Sequence, residues 1–199
     1  MILKIIKNNR WLREQYIETL SRFWVKEKVS RFLPWLPVGS TAVDIGAGNG
    51  LVALELQKAG IQATAVDVAD LSIISDVPVT VYDGKTLPFP NHHFQHALLL
   101  TVLHHTTDPV AVLKETARVA EQVIIIEDVY KNQLQKYATF AMDTLVNFGH
   151  SEMTYQNRSL REWKIIFAEL GLEVVQEKEK RVLGIFRQVT FLVQNQVQS

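Results

Sequence analysis

Cysteine is absent from the 199-residue sequence, which excludes a disulfide scaffold, a thiol nucleophile and any thiolate-held metal. No apolar run approaches the ~20 residues that a bilayer-spanning helix needs. The longest, Ala97 to Leu103, is interrupted by Thr101. The opening residues, Met1 to Lys7, lack the long apolar stretch and small-residue cleavage site of a secretory leader, so a cytoplasmic location is expected. There is no internal repeat, no low-complexity segment and no net charge, since 21 basic side chains meet 21 acidic ones. What is present, 47% hydrophobic and 21% charged residues, fits a single folded domain over residues 1–199.

The balanced charge is unevenly placed. Residues 1–38 carry eight basic and three acidic side chains, together with Trp11, Trp24 and Trp35. The rest of the chain is correspondingly acidic. Residues 10–33 read as one helix, with Trp11, Ile17, Leu20, Trp24 and Phe32 among its apolar positions and Pro34 and Pro37 ending it. This segment is expected to pack as an N-terminal helical cap over residues 1–38, with contact to an anionic membrane surface as the alternative. Nucleic acid is not expected as a partner, because no basic stripe extends over the acidic remainder.

From residue 41 the pattern alternates between strand and helix. Strands are expected at Thr41–Ile45, Ala63–Val66, Val79–Tyr82, His96–Leu100 and Val123–Ile126. Helices are expected at Leu51–Ala59, 109–119, 131–146 and 159–170, with a short one after Asp67. Asp108-Pro109 supplies an N-cap and a first helical residue. Leu172–Val182 and Gln188–Val193 follow one another without a helix, with Gly184 between them, and read as a hairpin. The whole implies an α/β fold, a mainly parallel sheet with helices on both faces and one antiparallel strand.

In such sheets ligands bind beyond the carboxyl ends of the strands. Four places qualify. Val43-Asp44-Ile45-Gly46-Ala47-Gly48-Asn49-Gly50 is a glycine-rich strand-to-helix turn that lets backbone N–H groups approach a ligand. It is not a dinucleotide fingerprint, because Leu51 stands where the third glycine belongs, and it lacks the Gly-Lys-Ser/Thr of a phosphate loop. Asp67 ends the second strand, where a carboxylate accepts from both hydroxyls of a ribose. Asp83, followed by Gly84, ends the third, where a carboxylate can accept from an exocyclic amine. The fourth is the segment after Leu100.

Taken together, VDIGAGNG, AVD, DGKTLPF and VLHHTTDP resemble the class I S-adenosylmethionine-dependent methyltransferases, and most the type-11 branch that includes quinone-biosynthesis enzymes. The motifs span about residues 40–130 and the element order extends over the whole chain. The resemblance implies a Rossmann-like seven-stranded sheet of order 3-2-1-4-5-7-6 with strand 7 antiparallel, and S-adenosylmethionine as cofactor. It implies that Gly46, Ala47, Gly48 and Gly50 approach the methionine part and that Asp44 organises the loop or reaches the amino group. Asp67 would hold the ribose, Val68 would pack by the adenine, Asp83 and Gly84 would lie at the ring, and Thr101 would face the sulfonium. Some features depart from the family: Gln95 replaces the usual Asp after Phe94, only a short helix is expected after Asp67, little sign of a full helix lies between Asp83 and Phe94, and no Asn/Asp-Pro-Pro-Tyr/Phe follows the fourth strand, which argues against amino-group methylation of adenine or of a glutamine amide.

Five of the six histidines lie between His92 and His105. The spacing of His92, His93 and His96 lacks a helical i, i+4 pair, so no metal is expected. His105, then His104, just past the fourth strand, are the candidate general bases for an acceptor that must lose a proton. Glu127 and Asp128, after the fifth strand, stand ready to orient a histidine or hold a cationic substrate. Residues 129–158 are expected to cover the substrate, with His150, Tyr155 and Arg158 facing it. The function expected is methyl transfer to a small-molecule acceptor, lipophilic or aromatic. The rivals are a non-catalytic cofactor-binding regulator and, further off, a nicotinamide-dependent oxidoreductase.

Overall fold

The computed structural model describes residues 24–130, 158–182 and 186–196, with positions 9, 11, 15 and 19 in isolation. Half of the segment 1–38 and most of the segment 129–158 do not fall in that set, nor do the expected helix 131–146, His150, Tyr155 and Gly184.

Among the described residues seven strands form one sheet: β1 (Thr41–Ile45), β2 (Gln62–Asp67), β3 (Val79–Val81), β4 (Phe94–Leu100), β5 (Ala120–Val129), β6 (Leu172–Val182) and β7 (Phe186–Asn195). Their order is 3-2-1-4-5-7-6. Strands β1 to β5 run parallel, and β7 lies antiparallel between β5 and β6. The central strands are continuous apolar runs because they are covered on both faces. Leu98, Leu99 and Leu100 of β4 and Ile124, Ile125 and Ile126 of β5 are all buried. Each such side chain contributes ~1.5–3 kcal/mol relative to exposure.

Helices α1 (Lys26–Ser30), α2 (Leu51–Lys58), α3 (Pro109–Val119) and α4 (Leu160–Glu169) cover the sheet. One face packs against α3 and α4 through Leu113, Trp163 and Phe167. The other packs against α1 and α2 through Val29, Phe32 and Leu56. Asp108 caps α3 by accepting from the Ala111 N–H at 2.9 Å. Ser159 and Glu162 form a reciprocal capping box on α4. The two sheet edges are blunted differently: β3 is three residues long, whereas β6 is exposed and charged from Glu177 to Arg181.

Several boundaries differ from the sequence pattern. Among residues 68–78 there is no helix, so β2 passes to β3 through a loop pinned by Ser72, whose hydroxyl donates to the carbonyls of Ile74 and Val77. The helix expected over 10–33 gives way to a 3-10 turn at Leu33–Trp35, where Pro34 removes a donor. Strand β5 is longer than its apolar run and begins directly where α3 ends, so Glu127 and Asp128 lie inside it. Gln95 locks the start of β4 to β1. Its side chain accepts from the Thr41 N–H at 3.0 Å while its own N–H donates to Thr41 Oγ1 at 3.0 Å.

Candidate active site

The glycine turn after β1 is built by backbone bonds. The N–H groups of Gly46 and Ala47 donate to the Val66 carbonyl at 2.9 and 3.1 Å. Gly46 has φ +75°, and a Cβ there would lie 2.6 Å from Val102 Cγ2, so only glycine lets the loop and the segment after β4 meet. Gly48, at φ +53°, faces open space. Its N–H donates to Asp67 Oδ2 at 2.7 Å, and Asp67 Oδ1 accepts from the Val68 N–H at 2.6 Å. Asp67 is thereby brought from the end of β2 onto the glycine turn. Gly50, at φ +80°, opens α2. Val68 is 59% exposed beside this rim, and its Cγ1 lies 3.3 Å from where a Cβ of Gly84 would stand. Asp83 Oδ1 accepts from the Lys85 and Thr86 N–H groups, both at 2.8 Å. Those backbone bonds hold its carboxyl below the usual range.

Asp44 lies under the turn, 2% exposed, and its Oδ2 has no hydrogen-bond partner among the described residues. Burial pushes its pKa up to about 7; the Lys28 charge pulls down and Asp67 pushes further up. A buried carboxylate oxygen without a donor is unusual and marks either a cost or a place for a ligand.

Beyond β4 the chain turns sharply. Thr101 adopts φ +62°, a costly conformation for a β-branched residue, fixed by its N–H donating to the Ile126 carbonyl at 2.7 Å. A 3-10 turn then carries Leu103, His104 and His105. His104 is 1% exposed, and its Nδ1 lies 2.6 Å from Oε2 of Glu127, itself 1% exposed. Glu127 Oε1 accepts from the Leu103 N–H at 2.8 Å. Glu127 therefore sits in the interior and orients a histidine. His105 stacks obliquely on His104 with ring centroids 3.9 Å apart. Burial, helped by the charge of His104, drives its pKa down to about 4, against the pull of Glu127. It is uncharged near neutral pH.

Asp128 is half-buried on the neighbouring strand register, opposite Gln188 of β7. Arg158 pairs by backbone with Val129, and its guanidinium lies 5.3 Å from the ring centre of Trp163. The remaining histidines among the described residues make separate contacts. His93 stacks on Phe89 and meets Phe94 edge-on, His96 is buried within β4, and His92 occupies a left-handed turn. No cluster of three or more potential metal ligands occurs among the described residues.

The structure adds one residue to the site that the sequence pattern does not mark. Lys28 donates from Nζ to Thr101 Oγ1 at 3.3 Å, reaching the site from α1. Helical spacing carries the signal. Lys28 follows Val25 by three residues and precedes Phe32 by four, so it lies on the inward face of its helix and not on the solvated basic one.

The residues that meet here come from β1, β2, β4, β5 and α1, all at the carboxyl end of the sheet. Residues 12–177 match the family model described as a methyltransferase domain. The chain is 37% identical over 82 residues to a tRNA (carboxymethyluridine(34)-5-O)-methyltransferase of Schizosaccharomyces pombe, covering 39% of this chain and 34% of that protein. It is 29% identical over 160 residues to a demethylmenaquinone methyltransferase of Corynebacterium urealyticum, covering 71% of this chain and 68% of that protein. The chain thus spans about a third of the first relative's length and just over two thirds of the second's. In fold it resembles magnesium protoporphyrin IX methyltransferase from Synechocystis with bound S-adenosylhomocysteine, at a TM-score of 0.66 and 13% identity over 94% of this chain and 88% of that one. With the family model matching most of its length and the expected strand order observed, the chain belongs to the class I S-adenosylmethionine-dependent methyltransferases.

Proposed function

We propose that the protein transfers a methyl group from S-adenosylmethionine to a small, lipophilic acceptor such as an aromatic or quinol ring. The observation that carries this reading is the buried Asp44 carboxylate under the glycine turn, with one oxygen unpartnered among the described residues. The residues around it fit the cofactor. The unpartnered buried Oδ2 of Asp44 suits a cationic ligand group, and the open face of Gly48 leaves room for a ligand against the turn. The Asp67 carboxylate, held on that turn, suits a ribose diol, and Val68, Gly84 and Asp83 form a rim suited to an adenine. When bound, the cofactor supplies an electrophilic methyl on a sulfonium sulfur.

The chain's own contribution is alignment and exclusion of water. Thr101 and the 3-10 turn after it form the wall nearest the glycine loop. His104, fixed by Glu127, and His105 against it form the floor on the acceptor side. His105 is uncharged and offers a ring nitrogen to an acceptor hydroxyl or ring carbon acid. With a pKa of about 4 it is a weak base, so it serves mainly to orient the acceptor. Asp128 and Arg158 border the same end, and residues 129–158, with His150 and Tyr155, are assigned to cover the acceptor within one domain spanning 1–199. Residues 1–38 are assigned as the cap, and a cytoplasmic location suits the reading.

Support for a lipophilic acceptor comes from the similarity to a demethylmenaquinone methyltransferase over 71% of this chain. The similarity to a tRNA-modifying enzyme covers 39% of it. The acidic charge balance beyond residue 38 disfavours an RNA acceptor. The test is transfer of labelled methyl to a demethylated naphthoquinol and, in parallel, to total tRNA. Label in the quinol alone is expected, with His105→Ala slowing turnover and leaving donor affinity intact. Label in tRNA alone would overturn the acceptor assignment.

A further inference from the structure

Lys28 is not a surface lysine that strays inward. Helix α1 is clamped to the β6–β7 hairpin by a closed set of polar contacts. Arg31 donates to both oxygens of Glu27, at 3.0 and 2.6 Å, and to Gln188 Oε1 at 2.7 Å. Lys178 Nζ donates to the Arg31 carbonyl at 3.1 Å, and Lys180 pairs with Glu27. Val29 and Phe32 bury the apolar face of the same segment. A fixed helix therefore delivers the Lys28 ammonium to Thr101, whose neighbour Val102 touches the glycine turn at Gly46.

The charges acting on Lys28 come from β5, β1 and its own helical segment. Asp128 and Glu127 on β5 and Asp44 on β1 favour its ammonium form. Arg31 on its own helix opposes it, and burial opposes it most, so that its pKa lies below the ordinary lysine value. Arg31 is answered by Glu27, and Glu127 is engaged with His104 and Leu103. Asp128 favours the Lys28 ammonium most among the acids, followed by Glu127 and then Asp44.

We propose that Lys28 is the resident cation of the donor pocket and sets its preference between the positively charged methyl donor and the uncharged thioether product. The inference rests on the reading of the turn at Gly46–Gly50 as the donor site. A sulfonium brings a second positive charge to a space already balanced by an ammonium. Like charges in a partly desolvated site repel strongly, so the lysine must lose its proton to solvent or withdraw. The thioether product imposes no such demand. An ionised Lys28 thus disfavours the donor relative to the product, and an uncharged one does not. The α1 cap reads the charge of the bound cofactor and not only its shape.

The test compares calorimetric affinities of S-adenosylmethionine and S-adenosylhomocysteine across pH, for the wild type, Lys28→Met and Lys28→Arg. In the wild type the donor-to-product affinity ratio is expected to rise with pH as Lys28 loses its proton. Donor binding should release more protons than product binding, read from titrations in buffers of different ionisation enthalpy. In Lys28→Met the ratio should be about tenfold higher at neutral pH, with the extra proton release gone. In Lys28→Arg, permanently charged, it should stay low at every pH. Both ligands share the groups that Asp44 would meet, so its titration largely cancels in the ratio. Product affinity serves as the folding control. Identical ratios and pH profiles in the three proteins would overturn the role of Lys28 while leaving the donor site standing. Failure of both ligands to bind the wild type would overturn the donor-site reading and the proposal with it.

Discussion

Asp44 and Glu127 are carboxylates of nearly equal burial, on strands separated only by β4, near the same end of the sheet. Their surroundings differ in kind. Glu127 has each oxygen engaged, one by the Leu103 N–H and one by His104. Asp44 has an oxygen with no donor among the described residues, and burial lifts its pKa to about 7. The first arrangement uses a buried charge to fix a turn. The second leaves an oxygen without a hydrogen-bond donor among the described residues, its charge offset only through space by Lys28. Local structure thus separates a carboxylate with both oxygens engaged from one with an oxygen left over, although sequence position alone treats both as acids near strand ends.

Removing the satisfied carboxylate should do the greater damage. Glu127→Ala leaves the Leu103 N–H and His104 Nδ1 without their partner in the core and is expected to cost ~3 kcal/mol or more. Urea denaturation measures it, and a loss well under ~1 kcal/mol would mean that water or a rotated His104 replaces the carboxylate.

The opposite sign is expected at Asp44. Its folded pKa, about 7, lies above the ordinary value of 3.8, so the folded state binds an extra proton between those values and stability falls as pH rises through that window. Asp44→Asn should therefore stabilise the ligand-free protein at pH ~8 by roughly 2 kcal/mol and leave it little changed near pH ~4. Thermal melts across pH check this, and equal melting temperatures at both ends would show that Asp44 is already answered.

The smallest effect concerns His105. Its folded pKa, about 4, is below the ordinary value of 6.5, so the unfolded chain binds the extra proton in that window. The stability it contributes is complete above pH ~6.5 and is lost on acidification toward ~4. His105→Phe should flatten the acid limb of the stability curve. An unchanged limb would place the acid sensitivity elsewhere.

Much of this is legible in the residues. The alternation of Thr41–Ile45 and Ala63–Val66 with amphipathic segments, and the absence of a helix between Leu172 and Val193, determine the topology, because buried parallel strands demand apolar runs and hairpins do not need crossovers. The glycine turn and the acids at strand ends are legible as a candidate site from their place beyond the carboxyl ends of the strands. What is not legible depends on contacts made across long sequence separations. Glu127 reads as a rim carboxylate because nothing local reveals that β5 runs on past its apolar core. Lys28 reads as part of a basic face because net charge over residues 1–38 conceals which side chains point inward. No helix follows Asp67 because Ser72 and Val77 close a tight loop in its place.

The most direct test of the donor pocket is calorimetric titration of the wild type and Asp44→Asn with S-adenosylhomocysteine, with NADH as the control ligand. Micromolar binding of S-adenosylhomocysteine alone is expected, weakened at least tenfold in Asp44→Asn despite its greater stability. Equal affinity in the two proteins, or binding of NADH instead, would contradict the assignment of Asp44 and the glycine turn to the methyl donor.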